Sequence, residues 1–324
     1  MTGATGFVGS FLADWLEGAG ADYRVLVREG ADTWRLSSAV KARVVTGDLD
    51  DHDGMRRIFE ELSPGTVIHT AWRGVDASSR ELPLQFANLN NTRVLFELAG
   101  AFGCRKFIGF GSQAEYGIYN EKIDEDVLPR PVTLYGVNKL SAGLLGRYYA
   151  GKFGYSFAWL RIFSTFGPRE TPGFFIPSTI TALMKGESPA LTVCTQTWDY
   201  LYVKDVARLV GLVLRRDRPF NDVYNLCSGI PVVLKDVVLL IRELLGSAVE
   251  PGFGARPFPV DGRRIFLGDM DKFYREFGAF RPSPLEDALR ETVVWYKENT
   301  GKGCVPTEPC VCAHRSETVE YRKE

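Results

Sequence analysis

Eight residues near the start of the chain constrain its fold more than any other segment. Residues 2–9 read Thr-Gly-Ala-Thr-Gly-Phe-Val-Gly, with glycines at positions 3, 6 and 9 and an apolar helical pattern after them. Glycine permits a tight turn and lets backbone N–H groups approach a pyrophosphate at the positive end of a helix. This pattern predicts a strand–turn–helix unit with a dinucleotide site. Because only Met1 and Thr2 precede Gly3, we expect the first strand to be truncated.

Apolar, β-branched segments alternate with helical patterns along the first half of the chain. Strand patterns lie at residues 24–27, 43–46, 66–70, 106–110 and 157–162, and helical patterns at 7–17, 53–62, 91–102 and 143–153. This alternation predicts an α/β fold with a doubly wound, parallel Rossmann sheet. Segments rich in Pro and Gly after about residue 167 predict a smaller C-terminal substrate-binding lobe. The predicted division is 1–166, 167–300 (partly interleaved with the Rossmann core), and a disordered tail at 301–324.

Composition and charge exclude several classes of partner. The net charge is −1, so the chain has no basic field that would favour nucleic acid. No apolar run approaches the roughly 18 residues that span a bilayer, and no membrane partner is expected. Cys104, Cys194 and Cys227 lie among apolar or small residues, as in reduced, cytoplasmic proteins. The tail carries Cys304, Cys310, Cys312 and His314, but their spacing does not match paired metal hooks, so no metal site is expected.

Residues after two predicted strands indicate how a dinucleotide would be bound. Arg28 stands at the end of a predicted strand, about twenty residues after the glycine turn. This is the position that recognises the ribose of a bound dinucleotide. Asp48 and Leu49 follow the next strand, where adenine contacts are expected. An arginine at the Arg28 position accommodates a 2′-phosphate, which favours NADP(H). Glu29 adjoins it, so NAD(H) is the alternative.

Three further residues suggest acid–base chemistry. Tyr135 and Lys139 form a Y-x-x-x-K pair, and an i, i+4 spacing places both on one helix face. A phenol has a pKa near 10, so it needs nearby positive charge to act as an acid–base at neutral pH. Ser112 follows the strand at 106–110, at the edge where such sheets hold substrates. Its hydroxyl could polarise the substrate oxygen on which Tyr135 acts.

Ordered motifs along the chain carry a family resemblance. They are residues 2–9, Gly47-Asp48, residues 68–71, Asn88 with Thr92, Ser112 with Tyr116-Gly117, Tyr135 with Lys139, residues 160–163, 166–169 and 199–207, and Tyr224-Asn225. With them, the chain resembles the extended short-chain dehydrogenase/reductase superfamily. Within it, the resemblance is to the NAD-dependent epimerase/dehydratase family of sugar-nucleotide enzymes, over residues 1 to about 300.

The resemblance implies a role for each site residue. Tyr135 would be the acid–base, Lys139 would lower its pKa and hold the nicotinamide ribose, and Ser112 would orient the substrate. Asn88 would brace the active-site strands. The cofactor contacts that the resemblance implies are Gly3, Gly6, Phe7, Val8, Gly9, Arg28, Asp48, Leu49, Thr70, Ala71, Asn88, Tyr135, Lys139 and Ile162.

Departures from the family pattern narrow the expected chemistry. Family dehydratases place an Asp-Glu pair after the catalytic hydroxyl, whereas Gln113 and Ala114 follow Ser112 here. Members that epimerise ring carbons by proton abstraction use a Cys at the position of Ala114, together with a His. Dehydration and such epimerisation are therefore not expected. Hydride transfer at a single carbonyl or carbinol carbon remains.

Four residues are candidates for substrate binding. Ser164 replaces a frequent Asn, and Trp198 replaces a frequent Arg, at positions that usually lie near the diphosphate or nucleotide of the substrate. Trp198 could stack on a base or fill core. Arg263 and Arg264 could clamp a diphosphate, because arginine binds phosphate bidentately. An exposed basic pair is the alternative reading of these two arginines.

Together these features predict an NAD(P)H-dependent reductase of a nucleotide-linked 4-keto-6-deoxy sugar, with hydride transfer at C4. An NAD-dependent nucleotide-sugar 4-epimerase is the alternative, and a non-catalytic dinucleotide sensor is a remote one. In many family relatives two long helices per subunit pair across a dimer, and residues 91–102 and 143–153 match them. We therefore expect a homodimer. The apolar residues expected on these faces are Leu95, Leu98, Phe102, Leu144, Leu145 and Tyr148.

Overall fold

The computed structural model describes residues 1–258 and 264–299. Its strands are β1 (Val25–Val27), β2 (Val44–Thr46), β3 (Thr66–His69), β4 (Lys106–Ser112), β5 (Lys122–Ile123), β6 (Ser156–Ile162), β7 (Ser164–Phe166), β8 (Thr197–Tyr202), β9 (Asn221–Leu226), β10 (Pro231–Val233) and β11 (Ile265–Gly268). Its helices are α1 (Phe7–Gly18), α2 (Ser38–Lys41), α3 (His52–Leu62), α4 (Leu84–Ala101), α5 (Leu134–Phe153), α6 (Phe175–Met184), α7 (Val203–Arg215), α8 (Leu234–Leu245), α9 (Asp271–Phe277) and α10 (Leu285–Asn299). No helix among these residues is long and apolar enough to cross a membrane.

A parallel sheet forms the larger part of the molecule. One set of strands has the order β3-β4-β6-β9, and β1 pairs with β2. Thr2 joins the two sets through parallel bridges to Leu26 of β1 and to His69 of β3. Parallel strands need crossover connections, and helices provide most of them here. The predicted Rossmann architecture is confirmed.

Met1 and Thr2 lie at the centre of this sheet. The N–H group of Thr2 donates to the carbonyl of Ile68 at 2.9 Å, and the N–H group of Leu26 donates to the carbonyl of Met1 at 2.8 Å. Next to them, a cavity of about 730 Å³ lies between the start of β1 and the start of β3, lined mainly by apolar side chains. Met1 and Thr2 therefore join β1 to β3 in this sheet.

Alternation along the strands creates one apolar core on each face of the sheet. Ile108 and Leu160 face the core that includes α1 and α7. Phe107 and Phe157 lie an odd number of positions from Ile108 and Leu160 along their strands. They face the core that includes α4 and α5. Successive side chains of a strand point to opposite faces, so this alternation buries both sides of the sheet. The second core brings α5 against β4 and β6.

The chain after β6 builds a smaller lobe and also returns to the main sheet. Strands β10, β8, β11 and β5 form a second sheet, in which β7 pairs with β8. Helices α6, α8 and α10 pack in a separate apolar core with β8. Helix α7 and strand β9 belong to the Rossmann layer, so the second half of the sequence contributes to both layers.

Two predictions about the long helices need correction. Helix α4 begins at Leu84, well before the start predicted at residue 91, and α5 is one helix from Leu134, which includes both the Tyr135–Lys139 pair and the pattern at 143–153. Leu95 and Leu98 are buried within the chain's own core, so they do not extend an exposed apolar face. Phe102 and Leu145 are partly buried in that core as well. Leu144 and Tyr148 remain exposed, at 60% and 63% of their surfaces.

Candidate active site

A cleft of about 270 Å³ lies at the carboxyl edge of the parallel sheet. Its walls come from the glycine turn and from the segments that follow β1, β2 and β3, with α4 on one side. Eight of the predicted cofactor residues line it: Gly3, Gly6, Arg28, Asp48, Leu49, Thr70, Ala71 and Asn88. Ligands of open α/β sheets bind at this edge, so the location agrees with the general rule for such folds.

The glycine turn is held against the segment after β3. Gly3 has a φ of +79°, and an added Cβ there would overlap the backbone nitrogen of Ala71 and Oγ1 of Thr70. An added Cβ at Gly9 would overlap the carbonyl of Gly3. The hydroxyl of Thr70 donates to the carbonyl of Thr2 at 2.8 Å. Only glycine permits this close packing, which brings the start of α1 to the cleft.

The first turn of α1 fits a dinucleotide pyrophosphate. The helix begins after Gly6, whose position provides no side-chain cap, so the first backbone N–H groups are available to an anion. At Gly6 the nearest atom to an added Cβ is the carbonyl of Gly3 at 3.2 Å, so a side chain would compete for the space beside the turn. Phe7, Val8 and Gly9 form the first turn itself. These residues therefore suit a nicotinamide dinucleotide.

Charged residues lie at the mouth of this cleft. Arg28 is exposed at the end of β1, and Asp48 accepts the N–H group of Asp50 at 3.0 Å. Arg73 forms a bidentate pair with Asp50, at 2.9 and 3.0 Å. A hydrogen bond from Asn91, followed by the charges of Arg73 and Arg28, lowers the pKa of Asp50 despite some desolvation. Two arginines therefore flank the part of the cleft formed by β1 and β2.

Asn88 fixes the segment that follows β3. Its side-chain oxygen accepts the N–H group of Arg73 at 3.0 Å, and its amide donates to the carbonyl of Arg73 at 2.8 Å. Thr92 donates to the carbonyl of Asn88 and receives a hydrogen bond from Nε2 of His69 at 3.0 Å. Burial, with a contribution from Lys139, lowers the pKa of His69 to about 3. His69 is therefore a neutral structural residue beneath the cleft.

Ser112, Tyr135 and Lys139 come together beside the end of β4. Ser112 is the last residue of β4, and Tyr135 and Lys139 lie in the first two turns of α5. All three side chains are buried. Thr133 caps α5 by accepting the N–H group of Gly136 at 3.0 Å, so the helix starts immediately before Tyr135. Ile162 ends β6 and pairs in register with Ser112.

The ammonium of Lys139 is enclosed by the protein. Nζ donates to the carbonyl of Phe110 at 2.6 Å and lies 3.8 Å from the ring centroid of Trp72. It is 5.9 Å from the ring centroid of Tyr135. Burial lowers the pKa of Lys139 to about 7, although Glu115 acts in the opposite direction. Lys139 can therefore change its charge near neutral pH.

The phenol of Tyr135 behaves differently from the expectation that Lys139 lowers its pKa. Burial raises the pKa of Tyr135 above its ordinary value, and the charge of Glu115 adds to that increase. A hydrogen bond with Ser112 and the charge of Arg80 act in the opposite direction. The physical reason for the difference is that Tyr135 is desolvated, while the ammonium of Lys139 is directed at Phe110. At neutral pH the phenol therefore carries its proton.

The carboxylate nearest to Ser112 in the sequence has a structural role. Glu115 is fully buried, and its Oε1 accepts the N–H group of Ser112 at 2.8 Å and Nε1 of Trp159 at 2.9 Å. Its Oε2 pairs with Nε of Arg161 at 2.7 Å. The hydroxyl of Ser112 donates to Oε1 of Gln113 at 2.6 Å. Glu115 thus forms a capping box around the single 3₁₀ turn after β4 and fixes Ser112.

Three of the four predicted substrate residues, Ser164, Trp198 and Arg264, lie in the smaller lobe. Nε1 of Trp198 donates to the hydroxyl of Ser164 at 2.8 Å, so the two positions that depart from the family pattern contact each other. Trp198 stacks on Phe266 with ring centroids 4.5 Å apart. Arg264 is exposed, and its guanidinium lies 4.9 Å from the ring of Phe258. Arg263 lies outside the described residues, as do the cysteines and histidine of the tail.

Sequence reasoning did not identify two residues that contact the side chains of Tyr135 and Lys139. Trp72 covers Lys139, and its ring also meets Tyr135 edge-on, with centroids 6.2 Å apart. Arg80 faces the ring of Tyr135. Both lie in the segment between β3 and α4, which has no apolar periodicity. The available signal was a large aromatic side chain directly after the β3 motif at the carboxyl edge of the sheet.

Comparison with known proteins agrees with this geometry. The model of the NAD dependent epimerase/dehydratase family matches residues 1–227. The chain belongs to this family. It is therefore an enzyme of the NAD-dependent epimerase/dehydratase type, and the resemblance inferred from the motifs is confirmed.

Relatives within the family catalyse more than one reaction. UDP-glucuronate 4-epimerase of Thermodesulfobacterium geofontis is 26% identical, over 92% of this chain and 96% of its own length. dTDP-glucose 4,6-dehydratase of Streptomyces griseus is 29% identical, over 92% of this chain and 94% of its own length. Among solved structures, MoeE5 in complex with UDP-glucose and NAD is 29% identical with a TM-score of 0.77. The match covers 92% of this chain and 98% of MoeE5. Overall similarity therefore does not determine which reaction this chain catalyses. The answer depends on the residues of the site.

Proposed function

We propose that this family member is an NADPH-dependent reductase of a nucleoside-diphosphate-linked 4-keto-6-deoxy sugar. The observation that supports it best is the set of groups around Ser112. Tyr135 and Lys139 are present, but Gln113 and Ala114 stand where a dehydratase-type acid–base pair would lie. The one carboxylate that contacts Ser112 among the described residues, Glu115, is held in a buried ion pair with Arg161. This set suits the reduction of one carbonyl group.

The side chains can perform the proton chemistry of such a reduction. Bound nicotinamide cofactor supplies the hydride. Tyr135 carries its proton at neutral pH and can donate it to the carbonyl oxygen of the substrate, which avoids an alkoxide in a desolvated site. Ser112 presents a hydroxyl at the end of β4 that can orient the same oxygen. Lys139 would hold the nicotinamide ribose. Its buried ammonium would donate to the hydroxyl groups of that ribose.

The choice of NADPH rests on Arg28. Its side chain lies at the mouth of the cleft, at the end of β1, and Arg73 also lines the cleft. No carboxylate occupies the last position of this strand, where a free ribose 2′-hydroxyl would need a hydrogen-bond acceptor. Glu29 is exposed beside it. A 2′-phosphate therefore fits the charge at this position better than a 2′-hydroxyl does.

An NAD-dependent nucleotide-sugar 4-epimerase is the second candidate. The similarity to UDP-glucuronate 4-epimerase and to MoeE5, which was solved with UDP-glucose and NAD, favours it. Such an enzyme uses the same Ser–Tyr–Lys set but keeps its cofactor and returns the hydride to the opposite face of the sugar. The two candidates differ in whether free cofactor is consumed.

Purified protein can be tested with a panel of nucleoside-diphosphate 4-keto-6-deoxyhexoses and, separately, nucleoside-diphosphate hexoses. We expect oxidation of NADPH in a one-to-one ratio with reduced sugar, measured by absorbance and by mass spectrometry of the product. Product without any change in added cofactor would instead identify the epimerase. Binding of a dinucleotide without any product would favour the sensor alternative.

Other parts of the proposal concern the surroundings of the site. The sugar nucleotide would contact the smaller lobe through Trp198, Ser164, Arg263 and Arg264. The division at residue 166/167 into a cofactor-binding and a mainly substrate-binding part stays a prediction, as does the homodimer. A cytoplasmic location also stays a prediction, and it is supported by the buried free thiols of Cys104, Cys194 and Cys227.

A further inference from the structure

The segment between β3 and α4 carries an arginine to the catalytic tyrosine. The guanidinium carbon of Arg80 lies 5.2 Å from the ring centroid of Tyr135. The backbone carbonyl of Arg80 accepts the N–H group of Tyr135 at 2.9 Å, and its Nε donates to the carbonyl of Val75 at 3.0 Å. A backbone bond and a side-chain bond therefore hold this charge beside the phenol.

Gln85 at the start of α4 holds the segment in place. It is fully buried, and its amide donates to the carbonyls of Gly74 at 2.8 Å and Ser79 at 3.1 Å. Its oxygen accepts Nε1 of Trp72 at 2.7 Å. One buried side chain thus fixes both ends of the loop that carries Arg80, together with the indole that covers Lys139. The buried amide of Gln85 therefore anchors the backbone on both sides of the loop that leads to Arg80.

The other charged groups around Tyr135 cannot supply a constant positive charge. Lys139, on the same helix, has a pKa of about 7 and is directed at Phe110. Glu115, from the 3₁₀ turn, is negative and acts against ionisation of the phenol. Glu81, beside Arg80, accepts the N–H group of Leu134 at 3.2 Å. An arginine guanidinium keeps its charge across the working pH range of proteins.

We propose that Arg80 is a positioning residue for Tyr135, supplying the permanent positive charge that favours the ionised phenol in this desolvated site. The inference rests on the proposed role of Tyr135 as proton donor. A proton donor works best when its pKa approaches the working pH, and burial alone moves the phenol away from that range. Arg80 opposes this rise in the pKa of Tyr135 whether Lys139 is charged or neutral.

The test measures the phenol directly. We place 3-fluorotyrosine at position 135 and follow its ¹⁹F resonance against pH in the protein without substrate. Fluorine makes the phenol more acidic, which brings the titration into a range where the fold is stable. Because one cation near a titratable group shifts its pKa by about 1–3 units, we expect Arg80→Gln to raise the midpoint by about 1 unit or more. Arg80→Lys keeps the charge and should restore most of the difference.

A matched control removes a charge of the same sign elsewhere. Arg290→Gln breaks the exposed pair with Glu286 on α10 and should leave the midpoint unchanged. A midpoint in Arg80→Gln that coincides with the unsubstituted protein overturns the proposal. If Arg80→Gln does not fold, Arg80→Lys decides: a retained midpoint supports the proposal, and a large upward shift overturns it.

The titration also separates this inference from the proposed function. It needs neither substrate nor turnover, so a raised midpoint in a protein that reduces no 4-keto sugar rejects the reductase alone. An unchanged midpoint in an active reductase rejects only the role of Arg80. In an active reductase, the pH limit of kcat/KM should move upward in Arg80→Gln by the same amount as the ¹⁹F midpoint.

Discussion

Among single residues, Tyr135 offers the most direct test of the chemistry. Tyr135→Phe keeps the buried ring and its contact with Trp72 but removes the proton donor. General acid catalysis typically contributes about 10²–10⁴-fold, so the turnover number should fall by that factor. Initial rates and fluorescence titration with NADPH measure turnover and cofactor affinity separately. We expect the affinity to survive in Tyr135→Phe and to weaken in Lys139→Met; nearly full activity in Tyr135→Phe would reject the mechanism.

Arg28 is the residue on which the proposed choice of NADPH rests. Arg28→Asp places a negative charge at the mouth of the cleft, where it would repel a 2′-phosphate. A hydrogen bond to a charged group contributes about 1.5–3 kcal/mol, so the affinity for NADPH should fall roughly tenfold or more. The affinity for NADH should change little. Isothermal titration calorimetry with both cofactors measures the ratio of the affinities for NADPH and NADH.

The control for this substitution lies at the other end of β1. Arg24→Asp makes the same charge change just before β1, away from the cleft, where Arg24 pairs with the exposed Asp22. It should leave the preference for NADPH over NADH intact. An unchanged preference in Arg28→Asp would contradict the assignment of Arg28.

At the scale of elements, apolar periodicity located strands β1, β2, β3, β4 and β6 and parts of helices α1, α3, α4 and α5, but not the start of α4. The first half of α4 carries Gln85, Asn88 and Asn91, which are buried because their amides bond to neighbouring segments. The first turns of α5 carry Tyr135 and Lys139, which face the site. A pattern of apolar residues cannot reveal buried polar side chains of this kind.

The 3₁₀ turn after β4 is the element on which Ser112 depends. Glu115 and Arg161 are almost inaccessible, and loss of one partner leaves an uncompensated buried charge. Such a loss costs about 3–5 kcal/mol, so Glu115→Gln should lower the free energy of unfolding by that amount in urea titrations. Glu286→Gln breaks an exposed pair and should cost about 0–1 kcal/mol. Equal losses in both variants would show that the buried pair does not stabilise the turn.

For the molecule as a whole, the motifs predict the candidate catalytic residues, while the tertiary structure determines what surrounds them. Ser112, Tyr135 and Lys139 follow from sequence patterns, because strand ends and helix spacing are local. Gln85 accepts Nε1 of Trp72 and closes the loop from Gly74 to Ser79 that leads to Arg80. Contacts of this kind depend on the path of an irregular segment, which neither periodicity nor charge predicts.

The surface of α5 is where the prediction of assembly can be tested. Leu144 and Tyr148 are exposed by 60% and 63% and lie one helical turn apart. Val137 and Phe153, on the same helix, are also more than a third exposed. Helix α4 packs against α5 and presents Phe86 with 57% of its surface exposed. Such apolar surface favours burial against a second copy of the chain.

We expect light scattering at micromolar concentration to give twice the mass of the chain. The double substitution Leu144→Glu and Tyr148→Glu places two charges on this surface, and burying unpaired charges is unfavourable enough to prevent association. It should therefore yield a monomer with unchanged circular dichroism. Val294→Glu, an exposed apolar position on α10, is the matched control and should remain a dimer. A monomeric mass for the unsubstituted protein, or a dimer that survives the double substitution, would contradict pairing through α5.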